Sequence, residues 1–373
     1  MSAQQSPTTT VAEEPTSSGR FATASLARAA VGLLVAAAAV GFPVAADASG
    51  SADRGQIVWT LGETGSGPGH LVAARADGSR QRNLTPPLEG VLDIDAAISP
   101  DGRWVAFERQ SDSVGAEIRL VRSVGGPSLL LRLGCVAPCI GDSRPTWLGP
   151  DRIAFTRYTE SPDLPFGYEG VLWSVRVRHG AVAGPLQRVT PMGGEGLWED
   201  LQARPTPDGR VLVFTRFSTE TGDGAAFRMD RSGRHVQQLT PWELQADLPH
   251  PSPARVGPTA GLVVFQTYGE GNPTGTSRDL ATVPVTCRSL QACTAAIRYV
   301  THNGMGTGRA SNPAWSPDGS RIAFAARPNS VDNNAQIVTM RADGTGPREI
   351  STSPLFDYRP DWGVRAPSPH RDH

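Results

Sequence analysis

Short apolar runs recur along the chain and are separated by turn residues. "WVAF" at 104–107 and "VLVF" at 211–214 are two such runs, and "IAF" at 322–324 is a third. Runs this short that are rich in β-branched and aromatic residues predict strands. Each of the three follows Ser-Pro-Asp-Gly or Thr-Pro-Asp-Gly, a turn in which proline sets φ and glycine takes the position that needs a positive φ. The pattern therefore indicates an internal repeat.

Each repeat contains four strand-like runs, which in the last repeat are expected at 313–316, 321–326, 335–341 and 347–351. The second strands of the repeats are expected at 56–61, 104–109, 152–157, 211–216, 262–267 and 321–326. The first repeat begins directly at its second strand, and "DYRPDWG" at 357–363 supplies the missing first strand. We therefore predict an all-β fold, a six-bladed β-propeller with four-stranded blades whose first blade is closed by the C-terminal strand.

The phrase "P-x-W-S-P-D-G-x-x-I-A-F", followed by "I-x-x-M-x-A-D-G-T-G", resembles the propeller repeat of the TolB-like family and extends over residues 55–363. The resemblance implies the propeller fold, and a repeat that also occurs in periplasmic scaffold proteins, peptidase propeller domains and some lyases. The N-terminal α/β domain of TolB has no expected counterpart between Ala48 and Gln56, and we expect no peptidase domain after the closing strand. The resemblance therefore implies a binding module rather than a role in the Tol pathway.

The N-terminal segment is expected to direct export. Arg20 and Arg28 precede an apolar run at 29–46, and Ala46-Asp47-Ala48 has the small-x-small pattern of a cleavage site. We predict a signal peptide at 1–48, with an uncleaved membrane anchor as the alternative. Residues 364–373 are expected to form a disordered tail. The protein would then be secreted or located in the cell envelope, and would contact a membrane only if the anchor is retained.

Composition excludes several classes of function. The formal net charge is −1 and the chain contains no lysine, so neither a nucleic-acid partner nor a P-loop is expected. No Gly-x-Ser-x-Gly nucleophile motif occurs. We assign no catalytic residue, cofactor or metal, and we expect a monomer that binds a protein or a peptide.

Strand direction alternates within a blade, so the short Ser-Pro-Asp-Gly and Ala-Asp-Gly turns are expected on one face of the ring. The opposite face then receives loops of different lengths, at 62–69, 158–170, 268–278 and 302–308. Variable loops on a rigid scaffold commonly carry function, although a single long loop is as often a tolerated insertion. We predict that this variable face is the binding face.

Aspartates recur three residues before the proline position of the repeat. They are Asp93, Asp142, Asp200 and Asp357, with Asp247 one place out of register and Ala310 in the sixth blade. One interpretation is that each carboxylate caps the turn into its strand. The other is a ring of carboxylates at the channel mouth that attracts a cation or a basic peptide, in keeping with the peptide binding that the resemblance implies. Arg144 and Arg359 are expected to pair with these acids.

The cysteines and histidines supply the remaining candidates. Cys135 with Cys139 and Cys287 with Cys293 are expected to form two short disulfides, and a shared four-cysteine zinc site is the alternative. His250 and His302 are both expected near the channel. With the ring aspartates they define the alternative function, a metal-assisted lyase or hydrolase at the channel mouth. The leading hypothesis is a non-enzymatic binding scaffold.

Overall fold

The computed structural model describes residues 55–64, 67–112, 115–164, 167–190, 196–267, 278–303, 308–327 and 334–366. Over these residues the chain is almost entirely β, with a 3₁₀-helix at Trp242–Leu244 and one α-helix, α1, at Leu290–Ala296. The Ser289 side chain begins α1 by accepting a hydrogen bond from the backbone N–H of Ala292. No helix in this part of the chain has the length and apolar character that crossing a bilayer requires.

Antiparallel strands form units that follow one another along the chain, with four strands in each unit except the third, which has five. The second unit contains β4 Val91–Ile98, β5 Trp104–Ser111, β6 Gly115–Arg122 and β7 Leu129–Leu130, and the third contains β8 Cys139–Gly149, β9 Arg152–Glu160, β10 Tyr168–Arg178, β11 Ala181–Val182 and β12 Gln187–Arg188. The fourth contains β13 Trp198–Pro205, β14 Val211–Ser218, β15 Gly224–Asp230 and β16 Gln237–Gln238, and the fifth contains β17 Asp247–Pro251, β18 Leu262–Thr267, β19 Asp279–Pro284 and β20 Arg298–Tyr299. The last contains β21 Arg309–Trp315, β22 Arg321–Arg327, β23 Gln336–Arg341 and β24 Arg348–Glu349. In the third unit, β11 and β12 both pair with β10.

The first unit combines strands from both ends of the described chain. It contains β1 Gly55–Gly62, β2 Gly69–Arg75, β3 Arg82–Asn83 and β25 Phe356–Val364. β1 pairs with β2 on one side and with β25 on the other, both antiparallel. The indole N–H of Trp59 donates a hydrogen bond of 2.7 Å to Asp357 on β25.

The second strand of each unit is buried on both faces, which explains why its sequence is a continuous apolar run. In β5, Val105 and Phe107 belong to a cluster shared with the first unit, whereas Ala106 belongs to a cluster shared with the third. Another cluster joins Ile57 of β1 to Ile337 of β23. The core therefore lies between neighbouring units rather than within them.

The repeated turn has the structure that its sequence predicts. In the turn at 99–102, Gly102 has φ +70° and donates its backbone N–H to the Ser99 carbonyl. The Asp101 carboxylate accepts from the Ser99 hydroxyl at 2.6 Å and from the Arg103 N–H at 3.0 Å. The turns at 206–209 and 316–319 repeat these bonds. The aspartate of the turn is thus a structural cap.

The fourth strand of each unit, the outer strand, is shorter than predicted. The expected strand at 347–351 is reduced to β24, Arg348–Glu349, and the other fourth strands likewise have two residues. These strands pair on one side only, and the twist of the unit carries their ends away from the partner strand.

The first strand of each unit, which is β25 in the first unit, is called the inner strand. Each inner strand contains a break in register and a residue in the left-handed conformation. In β4, pairing with β5 shifts between Ile94 and Ala97, and Asp95 in between has φ +53°. The residues at this position in the described inner strands are Asp95, Arg144, Gln202, Leu248, Asn312 and Arg359, with φ between 52° and 56°. Because a bulge redirects the strand, it can aim these side chains away from the blade surface.

Candidate functional site

Three of the predicted ring aspartates lie in buried ion pairs with arginines of the neighbouring strand. Each carboxylate receives two hydrogen bonds from one guanidinium, with Nε–Oδ1 distances of 2.6 to 2.7 Å. The pairs are Asp93 with Arg109, Asp142 with Arg157 and Asp200 with Arg216. Burial raises the pKa of Asp142 and of Asp200, and the paired arginines act to lower it. These carboxylates are therefore compensated within their own units and are not open charges at a channel mouth.

The other two predicted aspartates have different partners. Asp247 accepts hydrogen bonds from the Thr215 hydroxyl at 2.9 Å and from its neighbour Leu248 N–H at 2.7 Å. Asp357 accepts from Trp59, and burial raises its pKa to about 6. The corresponding position in the last unit is Ala310, which is also buried.

The left-handed residues of the inner strands meet in one narrow cavity of about 30 Å³. Its charged lining residues are Asp95, Arg144, Arg204 and Arg359. Arg359 forms a salt bridge with Asp95, and the Arg144 backbone N–H donates to Glu108 at 3.0 Å. Arg144 and Arg359 thus contact acids other than the aspartates with which we expected them to pair. The cavity is a constriction with mixed charge.

The neighbouring charges affect the pKa values of Asp95 and of Glu108, the acid that accepts from the Arg144 N–H, in opposite directions. Burial acts to raise the pKa of Asp95, but the charges of Arg359 and Arg144 lower it below its ordinary value. The pKa of Glu108 is raised by burial and then by the negative charge of Asp95. Asp95 therefore carries the negative charge, which makes the protonated form of Glu108 more favourable.

A larger cavity of about 540 Å³ lies where the inner strands end. Its wall contains turn prolines from several units, Pro100, Pro150, Pro207 and Pro317, together with the indole rings of Trp315 and Trp362. These turns belong to the face with short turns, so the cavity is on the opposite side of the constriction from the variable face. We call it the turn-face cavity.

Three charged or titratable side chains line the turn-face cavity close to one another. Arg204 Nη1 lies 3.3 Å from Asp361 Oδ1, and His250 Nε2 lies 3.9 Å from the same oxygen. The other Asp361 oxygen accepts from the Ile98 N–H at 2.7 Å, which fixes the carboxylate. The cluster offers N–H donors beside a carboxylate acceptor in a largely apolar wall, the combination typical of ligand sites.

His250 is held as a neutral imidazole. Its Nδ1 accepts the Trp315 backbone N–H at 3.1 Å, so the ring proton is on Nε2. Burial, followed by the nearby Arg204 charge, lowers the pKa of His250 well below its ordinary value. In the described part of the chain, no serine, threonine or cysteine side chain hydrogen-bonds to His250. Its geometry suits a hydrogen-bond donor to a ligand.

No protein-family profile matches the chain. The TolB proteins of Anaeromyxobacter dehalogenans strain 2CP-C and Anaeromyxobacter sp. strain K, both named as Tol-Pal system proteins, are 44% identical to it over 48 residues. This segment is 13% of the present chain and only 10% of each relative.

Solved structures extend the likeness to most of the chain. TolB from Acinetobacter baumannii superimposes with a TM-score of 0.61 at 18% identity, over 83% of this chain and 67% of that one. Putative TolB from Agrobacterium tumefaciens gives 0.51 at 14% identity, over 81% and 88%. The fold is a TolB-like β-propeller. Hydrazine synthase from Kuenenia stuttgartiensis is also similar, with a TM-score of 0.60 at 12% identity over 84% of this chain and 47% of that one.

Within the TolB-like propeller, the cysteines form the two predicted pairs. The Cα atoms of Cys135 and Cys139 are 5.3 Å apart, as are those of Cys287 and Cys293, and the sulfurs of each pair are bonded. Cys139 begins β8, whereas Cys293 lies in α1 of another unit. The alternative of one four-cysteine zinc site therefore does not apply.

The histidines of the alternative metal site are not brought together. His250 lines the turn-face cavity, whereas His302 is exposed in the connector before β21 and is not among the residues of that cavity. Among the described residues, the one cluster with metal-ligand spacing is Cys135, Cys139 and Asp142, and its sulfurs are already bonded to each other.

The predicted variable face is described only in part. Residues 65–66, 165–166, 268–277 and 304–307 of its loops lie outside the described residues. The loop expected at 158–170 is shorter than predicted, because β9 continues to Glu160 and β10 begins at Tyr168. Tyr158 and Tyr168 pack edge to face across its base, with ring centroids 5.3 Å apart.

Sequence reasoning missed the arginines that pair with the ring aspartates, although a signal was present. Arg109, Arg157 and Arg216 each occupy the same position at the end of the second-strand phrase, 15 or 16 residues after an aspartate. Arg204 and Asp361 of the turn-face cavity are 157 residues apart, and no local pattern connects them.

Proposed function

We propose that this TolB-like propeller is an exported, non-enzymatic scaffold that binds a protein or peptide segment in the turn-face cavity. The relatives named as Tol-Pal system proteins favour a protein partner, but the likeness to solved structures is at most 18% identical and supports the fold only. The apolar run at 29–46 and the two disulfides favour export.

The proposal includes a ring of six blades in which β25 closes the first. It is supported by the recurrence of one left-handed residue in each described inner strand and by their common cavity. It is also supported by the core cluster that joins β1 and β2 to β22 and β23, because such a cluster places the first unit beside the last.

The observation that carries the binding proposal is the turn-face cavity itself. A volume of about 540 Å³ is in the range of ligand sites, roughly 300–1,000 Å³. Proline and tryptophan side chains provide apolar contact for an inserted segment, while Arg204, His250 and Asp361 provide donors and an acceptor for its backbone or terminus. The arrangement contains donors and acceptors without an activated nucleophile, which favours binding over catalysis.

Peptide selection tests this proposal. Protein purified from cells expressing the full chain is used to select peptides from a random library, and affinities are measured by isothermal titration. Arg231→Glu, on the cavity wall, and His250→Asn, which preserves an acceptor for Trp315, are expected to weaken binding at least tenfold. Arg210→Glu makes the same charge change on an exposed side chain outside the cavity and should have no effect.

Either of two results would contradict the assignment. Peptides that bind the two cavity variants with the same affinity as the unaltered protein would place the site elsewhere, with the variable face as the next candidate. Failure to select any peptide, together with bound metal and turnover of a substrate, would favour the metal-assisted lyase or hydrolase.

A further inference from the structure

A third cavity, of about 310 Å³, lies beside β1, β2 and β25 and contains a concentration of positive charge. Its charged lining residues are Arg75, Arg80, Arg82 and Arg365, and no acidic side chain among the described residues lines it. Arg75 ends β2, Arg82 begins β3 and Arg365 follows β25, so three separate segments supply the guanidinium groups. We call this cavity the arginine pocket. It shares no lining residue with the turn-face cavity.

The four arginines have little compensation within the described part of the chain. None of them forms a salt bridge there. Asp77, on the same turn as Arg80, is exposed, and its carboxylate accepts the Ser79 N–H at 2.9 Å. Hydrogen bonds from Ser79 and the charge of Arg75 lower the pKa of Asp77, so Arg75 has one exposed acid nearby but no salt bridge. Arg75 Nε is buried without a hydrogen-bond partner. A guanidinium in this state loses hydration that the protein does not replace.

Arg82 is the most constrained of the four. Its guanidinium donates to the Ser123 carbonyl, and the Gln56 side-chain amide donates to the same oxygen at 3.4 Å. Burial lowers the pKa of Arg82, and the positive charge of Arg365 lowers it further. The two cations therefore repel each other across a partly buried space. This differs from Arg109, Arg157 and Arg216 of the second strands, each of which faces a carboxylate.

We propose that the arginine pocket binds a phosphate-bearing ligand. Guanidinium groups form paired hydrogen bonds with phosphate oxygens, and several of them around one anion are typical of phosphate recognition. A phosphate monoester carries a charge of about −1.5 to −2 near neutral pH, which matches a pocket of four cations better than a single carboxylate does. The volume accommodates a phosphate with an attached group, so a soluble phosphate ester and a phospholipid headgroup are both suitable sources.

Titration of purified protein from cells expressing the full chain tests the proposal. Inorganic pyrophosphate is titrated calorimetrically, and vesicles of phosphatidylcholine with or without phosphatidic acid are tested by co-sedimentation. We expect saturable binding that weakens as salt concentration rises. Binding of pyrophosphate alone assigns the pocket to soluble phosphates, and binding confined to vesicles with phosphatidic acid assigns it to headgroups.

Two charge-matched double variants identify the site. Arg80→Gln with Arg365→Gln removes two exposed guanidinium groups from the pocket and is expected to weaken binding at least about tenfold. Arg176→Gln with Arg178→Gln removes the same charge from exposed positions on β10 and should leave binding unchanged. An unchanged melting temperature in the pocket variant rules out unfolding as the cause.

The proposal is overturned if the unaltered protein shows no saturable binding of either probe. It is also overturned if the control double variant loses as much affinity as the pocket variant, because general electrostatic attraction would then explain the binding. Arg75→Gln with Arg82→Gln provides a second measurement on the two partly buried arginines, for which we expect a larger loss.

Discussion

The same position of the inner strand is occupied by a buried aspartate in two different settings. In β4, Asp93 lies opposite Arg109 of the neighbouring strand and receives two hydrogen bonds from it. In β25, Asp357 lies opposite Leu61, and the contact it makes with β1 is the hydrogen bond from Trp59. Asp357 is fully buried, yet it has no guanidinium partner among the described residues.

The comparison shows how the arginine affects the buried carboxylate. A buried carboxylate without a cation favours its protonated form, and the pKa of Asp357 is accordingly raised to about 6. The last unit has no carboxylate at this position, because Ala310 occupies it and lies opposite Ala326. An arginine on the second strand therefore opposes the effect of burial at this position, as it does for Asp142 and Asp200.

The largest expected effect comes from breaking one of the ion pairs. Asp93→Ala should reduce the free energy of unfolding by about 3–5 kcal/mol, because it leaves the Arg109 guanidinium largely buried without its counter-charge. Urea denaturation measures the loss. The double variant Asp93→Ala with Arg109→Met should recover most of it. A loss below about 1 kcal/mol in the single variant would show that solvent already compensates Arg109.

A smaller effect is expected from neutralising Asp357, and it should depend on pH. The folded protein holds this proton up to about pH 6, whereas an unfolded aspartate releases it near pH 4. The free energy of unfolding should thus fall by roughly 2–3 kcal/mol as pH rises through this window. Asp357→Asn keeps an acceptor for Trp59 and should remove that fall. Subtracting the pH profiles of the two proteins removes the contributions of groups that titrate in both. Parallel profiles would contradict the assignment of the fall in stability to Asp357.

The smallest effect is expected from giving Asp357 the partner it lacks. Leu61→Arg reproduces the pairing of Arg109 with Asp93 and should lower the pKa of Asp357, which carboxyl NMR titration measures directly. The gain in stability at pH 7 should be at most about 1 kcal/mol, since Leu61 also packs against the core. Leu61→Met serves as the control, because it keeps the packing and adds no charge. An unchanged pKa in the arginine variant would show that the side chain turns to solvent instead.

The sequence alone placed correctly those strands for which the apolar pattern and the flanking turn residues indicate the same boundaries. The predicted strand at 262–267 coincides with β18, and those at 104–109 and 211–216 begin where β5 and β14 begin. The fourth strands could not be placed as well, because their length depends on edge pairing rather than on side-chain pattern. The inner strands begin earlier than predicted, since pairing with the second strand continues past the bulge at residues such as Asp95.

The candidate site was less accessible to sequence reasoning. His250 was identified, but its neighbours Arg204 and Asp361 come from other inner strands, and their convergence depends on the distance between strand ends. The five predicted ring aspartates lie on the inner strands. Whether their carboxylates face a channel or a neighbouring strand depends on register, which the repeat alone does not specify.

The pairing of β25 with β1 has a consequence for synthesis of the protein. Trp59 and Asp357, which hydrogen-bond to each other, are separated by 298 residues. At about 5–20 residues per second, a ribosome needs roughly 15–60 s to make the intervening chain. Throughout that interval β1 presents an open hydrogen-bonding edge to other nascent chains. A stop codon between Glu349 and Phe356 would make this exposure permanent, so the truncated product should aggregate even though its other units are intact.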